Sequence, residues 1–70
     1  MKVLIVDDEK LIRDVIKEYC FESKYEVIEA ENGLEAINKA GEADVIIMDI
    51  MMPKMDGFSA YKIIKEKYNI

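Results

Sequence analysis

The 70-residue chain has no histidine, one cysteine and one proline, and each scarcity removes a class of chemistry. Without histidine there is no imidazole for acid–base catalysis, no phosphohistidine of its own and no His-ligated zinc. The lone Cys20 cannot close an intramolecular disulfide, which points to a reducing, cytoplasmic setting. Its place among helix-spaced apolar residues reads as a small buried hydrophobe rather than a reactive thiol. No apolar run is long enough to span a bilayer, and the run after Met1-Lys2 is too short for a signal-peptide core. A formal net charge of −5 argues against nucleic acid as a direct ligand of this segment. With 51% hydrophobic and 36% charged residues the chain is expected to be soluble and globular rather than disordered. Its length allows one small domain, 1–70, with marginal burial.

What is present alternates in period. Val3 to Val6 form a continuous apolar run, as expected of a strand covered on both faces. Leu11, Ile12, Val15, Ile16, Tyr19 and Cys20 then recur every three to four residues, with Arg13, Asp14, Lys17 and Glu18 between them. That spacing predicts an amphipathic helix of about three turns, with Asp8-Glu9 at its positive N-terminal end. Tyr25 to Glu29 mixes charge into a strand pattern and reads as an edge strand. Asn32-Gly33 opens a second helix carrying Leu34, Ala36, Ile37 and Ala40, and Gly41 is placed to end it. Val45 to Met48 is a second fully apolar strand. Beyond Pro53 and Asp56-Gly57, which suit a shaped loop, Phe58, Tyr61, Ile64 and Tyr68 mark a third helix. Lys62, Lys65, Glu66 and Lys67 form its solvated face. The order β-α-β-α-β-α implies parallel strands joined by right-handed crossovers, hence an α/β layered fold.

Both apolar runs stop on carboxylates, the first at Asp7-Asp8 and the second at Asp49. If the strands are parallel neighbours, three acids converge at the carboxyl edge of the sheet, where ligands of open α/β sheets sit. Crowded carboxylates repel one another unless a cation neutralises them, so the arrangement reads as a divalent-metal site. The competing reading of Asp7-Asp8 is helix capping, worth about 1 kcal/mol, and the two roles are compatible. Asp49 read blandly is a solubilising acid at a strand end. Met48, Met52 and Met55 read as adaptable packing, and Asp56 as a loop former rather than a ligand.

The segments LIVDDE (Leu4 to Glu9), IIMD ending at Asp49 and MMPKMDG (Met51 to Gly57) resemble the receiver domain of bacterial two-component response regulators. Asn32-Gly33 and Glu35-Ala36 fit the same pattern. The resemblance implies a flavodoxin-like doubly wound parallel sheet of order 2-1-3-4-5, here partial, with order 2-1-3 and the last two strands absent. It implies that Asp49 accepts a phosphoryl group from a sensor histidine kinase, in a signalling protein rather than an enzyme. It implies Mg²⁺ held by Asp8, Asp49 and the backbone carbonyl of Met51, with Asp7 acting through a bound water. In an intact parent the output is an effector, often transcriptional.

The Thr or Ser ending the family's fourth strand and the Lys ending its fifth have no counterpart in these residues. Lys54, Lys62, Lys65 and Lys67 follow no apolar strand. Weak Mg²⁺ binding and slow or absent phosphorylation are therefore expected of this truncated receiver. An aspartyl-phosphate phosphatase of the haloacid dehalogenase type needs a second Asp two residues after the first, where this chain has Met51. The third strand, central in the family, becomes an uncharged edge, and one face of the sheet loses its covering helix. That predicts a homodimer through residues 45–48, paired antiparallel across a two-fold axis. The alternative function is then a non-signalling fragment that folds only by this self-association.

Overall fold

The computed structural model describes residues 1–49 and 57–68. The elements are β1 (Lys2–Val6), α1 (Lys10–Glu22), β2 (Glu26–Ala30), α2 (Gly33–Lys39), a 3₁₀ turn (Ala40–Glu42), β3 (Val45–Met48) and α3 (Gly57–Tyr68). All strand pairs are parallel, in the order β2-β1-β3, so the expected partial flavodoxin-like sheet is present. β1 is central because it is apolar throughout, and Val3, Leu4, Ile5 and Val6 are all buried. Alternation along β1 sends Leu4 and Val6 to a core with Ala30, Ala36, Ala40 and Ile64, on the side of α2 and α3. Val3 and Ile5 face the other way, onto Cys20, Ile16 and Val27 beneath α1. Cys20 is a buried free thiol, as its helix spacing implied.

β2 lies at one edge and accepts charge there: Glu26 is exposed, and Glu29 is half-buried under α1. Asn32 caps α2, its side-chain oxygen accepting from the Glu35 backbone N–H at 2.9 Å while its amide donates to the Glu35 carboxylate at 3.2 Å. β3 forms the opposite edge, paired Val3–Val45 through Val6–Met48.

Three expectations are corrected. Gly41 does not end α2 in a left-handed turn; the helix tightens into 3₁₀ geometry, with the Ala43 N–H bonded to the Ala40 carbonyl at 3.1 Å. The left-handed conformation falls instead on Lys24, at φ 63°, where α1 ends. There the Tyr25 N–H bonds the Cys20 carbonyl and the Lys24 N–H bonds the Phe21 carbonyl, which satisfies the orphan carbonyls of the last turn.

On α3 the buried pair is Ala60 and Ile64, whereas Tyr61 is exposed and lies along Lys65, whose Nζ is 5.9 Å from the ring centroid. A small residue lets α3 approach the core closely, and the larger ring remains outside. The side chains of Phe58 and Tyr68 lie outside the described set, as do Met51, Met52, Pro53, Lys54, Met55 and Asp56. On α1, only Cys20 is buried and only Ile16 packs beside it, while Leu11, Ile12, Val15 and Tyr19 are exposed. No described element covers that half of the stripe, nor Val45 and Ile47 on the same side of the sheet.

Candidate metal centre

The hydrogen-bond ladders run one residue past β1 and β3, and this sets the site. The Asp7 N–H bonds the Ala30 carbonyl at 3.1 Å, and the Asp49 N–H bonds the Val6 carbonyl at 2.9 Å. Asp7 and Asp49 therefore leave adjacent strands at the same carboxyl edge, with Asp8 following in the turn into α1. One carboxylate oxygen from each of Asp7, Asp8 and Asp49 lies within 4.8 Å of the other two. Asp7 and Asp49 are half-buried, and Asp8 is exposed.

The sequence expectation of convergence is thus met for all three acids. Met51, whose carbonyl the resemblance assigns to the same ion, lies outside the described residues. Capping of α1 by these acids takes an unexpected form. Glu9 occupies the cap position and makes no side-chain cap bond, while Asp7 Oδ1 accepts from the Glu9 N–H at 2.9 Å. That bond closes the turn in which Asp8 sits.

Two unit charges 4.8 Å apart repel by about 0.9 kcal/mol in water and about 3.5 kcal/mol at an effective dielectric of ~20. A hard divalent cation relieves this, and an all-oxygen donor set suits Mg²⁺ or Ca²⁺ and not zinc. Three carboxylate oxygens within 4.8 Å of one another would reach one such ion directly or through a bound water.

The surroundings carry an ion-pair chain between α1 and β2 that the sequence pattern did not single out. Glu29 alternates to the α1 side of β2 and meets Arg13 Nε and Lys17 Nζ, each at 3.0 Å. Lys17 also reaches Asp14 at 3.6 Å, and Asp14 pairs with Lys10 at 3.0 Å. The Lys17 and Arg13 hydrogen bonds hold the Glu29 carboxyl below its ordinary range despite partial burial. Glu29 in turn raises Lys17, and Lys10 lowers Asp14. The signal available in sequence was a strand glutamate whose register matches the helix above it.

Comparison with known proteins places these features in a family. The family model described as the response regulator receiver domain matches residues 3–70. The transcriptional regulatory protein ResD of Bacillus subtilis is 47% identical over 68 residues, covering 94% of this chain and 28% of ResD. The chemotaxis protein CheY of Listeria monocytogenes is 49% identical over 63 residues, covering 86% of this chain and 53% of CheY. The response regulator TrrA of Thermotoga maritima, solved in complex with Mg²⁺-BeF, superposes with a TM-score of 0.87 at 38% identity, covering 97% of this chain and 61% of TrrA. TrrA in complex with the histidine kinase ThkA gives 0.86 at 43% identity, covering 94% and 59%. The chain thus spans about half or less of the curated relatives it matches.

Proposed function

This chain belongs to the response regulator receiver domain family, and from that premise we propose that it serves phosphorelay signalling with Asp49 as the phosphoryl acceptor. The observation that carries the proposal is the meeting of three carboxylates at one sheet edge, within 4.8 Å. In the reaction, a carboxylate oxygen of Asp49 attacks the phosphorus of a phosphohistidine on a sensor kinase. The P–N bond breaks, its electron pair returns to the imidazole, and an acyl phosphate forms. The Asp49 backbone, fixed through its N–H to Val6, holds the carboxylate at the edge where a partner can reach it. Asp8 and Asp49, with Asp7 and the Met51 carbonyl, would hold Mg²⁺, which supplies charge neutralisation on the transferred group.

The kinase partner is supported by the ThkA–TrrA complex, and Mg²⁺ by the TrrA complex that contains it. A transcriptional output in the intact parent is in keeping with ResD. The same reading makes this a cytoplasmic signalling acceptor, not an enzyme. Titration with Mg²⁺, followed through the amide NMR signals, should move Asp7, Asp8 and Asp49 first. A titration that moves none of the three refutes the metal site.

A second reading rests on β3. Its edge carries no charge between Val45 and Met48, and Val45 and Ile47 are 40% and 41% exposed. Antiparallel pairing of two copies about a two-fold axis would cover this edge, giving a non-signalling dimer. It would also oppose Asp44 with the partner copy's Asp49, so association should strengthen with salt. Light scattering should show a dimer that Ile47→Lys converts to monomer. A stable monomer at high concentration and high salt overturns this reading.

A further inference from the structure

The turn carrying half-buried Asp7 and exposed Asp8 is crowded with like charge, so something must hold its backbone. Arg13 does so from the first turn and a half of α1. Its Nη1 donates to the Asp7 carbonyl at 2.7 Å, and its Nε donates to Glu29 Oε1 at 3.0 Å. The side chain is only 12% exposed, against 28% for Lys17 and 74% for Lys10 on the same helix. One planar guanidinium thus ties the Asp7 peptide to β2, through a carboxylate that Lys17 also grips. The Arg13 backbone N–H closes the circuit by bonding the Glu9 carbonyl at 3.2 Å.

We propose that Arg13 is a positioning residue for divalent-cation binding: it pins the Asp7 carbonyl and so holds the Asp7 and Asp8 carboxylates where an ion can bridge them to Asp49. This rests on the reading of those acids as a metal site. A pinned turn leaves less reorganisation to accompany ion binding, and partners that orient metal ligands typically change affinity by 10–100-fold. Geometry and simple charge make opposite forecasts. Removing a nearby cation should on charge alone tighten binding of Mg²⁺, whereas loss of positioning should weaken it.

The test is isothermal titration of the intact chain with Mg²⁺, alongside thermal melts in chelator. Arg13→Lys keeps the charge and can pair with Glu29, but a single ammonium lacks the fork that also reaches the Asp7 carbonyl. It should bind Mg²⁺ about tenfold more weakly with a nearly unchanged melt. Arg13→Met should also bind more weakly, against the charge forecast. Lys17→Met, which removes the second clamp on Glu29 and the pair with Asp14 but leaves the Arg13 bond to the Asp7 carbonyl, should lower the melt and leave Mg²⁺ affinity unchanged. Wild-type affinity in Arg13→Lys, or tighter binding in Arg13→Met, overturns the positioning role while leaving the metal site intact. A wild-type chain that binds no Mg²⁺ overturns the metal site itself, and this inference with it.

Discussion

Replacing Asp8 by Asn should make the metal-free protein more stable, although it removes a charged side chain from a functional site. Asp8 faces Asp7 and Asp49 across at most 4.8 Å and lies in solvent, so each repulsion is worth about 0.9 kcal/mol at the dielectric of water. Asp7 and Asp8 are neighbours in the unfolded chain as well, so their mutual repulsion largely cancels on unfolding. The contact with Asp49 is created by folding. The net gain from Asp8→Asn is therefore about 1 kcal/mol, or a rise of about 4–8 °C in midpoint for a domain of this size. Mg²⁺ at ten times its Kd stabilises the wild type by about 1.4 kcal/mol through mass action. The variant, lacking a ligand, should gain little. Far-UV circular dichroism melts at low ionic strength, in chelator and then with rising Mg²⁺, read both effects. The wild type should melt lower than the variant in chelator and overtake it with the ion. A variant that melts lower in chelator would mean that Asp8 supports the α1 turn rather than straining the site. Equal Mg²⁺ stabilisation of both proteins would place the ion elsewhere.

Other expectations follow from the fold. Lys24→Gly should stabilise by about 0.5–1 kcal/mol, because Lys24 holds φ 63° at the end of α1; an unchanged denaturation midpoint would contradict this. Leu4→Ala, at a fully buried position in the central strand, should cost about 2–5 kcal/mol and leave much of a marginal 70-residue domain unfolded in urea titration. Glu29 has its carboxyl held below its ordinary 4.5, so its contribution to stability is present above that value and is lost as pH falls through the depressed one. Glu29→Gln should therefore be less stable than wild type near neutrality, with the gap closing in acid; a constant gap would refute the pairing with Lys17 and Arg13.

The features that read directly from sequence share a simple local cause. Two uninterrupted apolar runs read as strands, although only β1 proves buried on both faces, and their acidic ends had to meet once the runs paired in parallel. Asn32 announced its helix because its side chain caps the backbone three residues on. Less was readable where tertiary neighbours decide. The spacing of Leu11, Val15 and Tyr19 with Cys20 promised one buried stripe, yet only the half over β1 meets the sheet. Tyr61 and Ala60 fit a helix pattern equally well, and close packing chose the alanine. Lys24 occupies a turn that glycine would favour, because the bonds of the α1 terminus over-determine it. Arg13 was indistinguishable from any exposed arginine until Glu29 and the Asp7 carbonyl were seen on either side of it.

The central claim is that Asp49 accepts a phosphoryl group at a cation-dependent acidic site. It is tested most directly by incubating the chain with Mg²⁺ and a small-molecule phosphodonor, then measuring intact mass and mapping the modified residue. The account predicts a gain of one phosphoryl group on Asp49, lost in Asp49→Asn and lost in chelator. A gain that persists in either case, or one that maps to another residue, would contradict it.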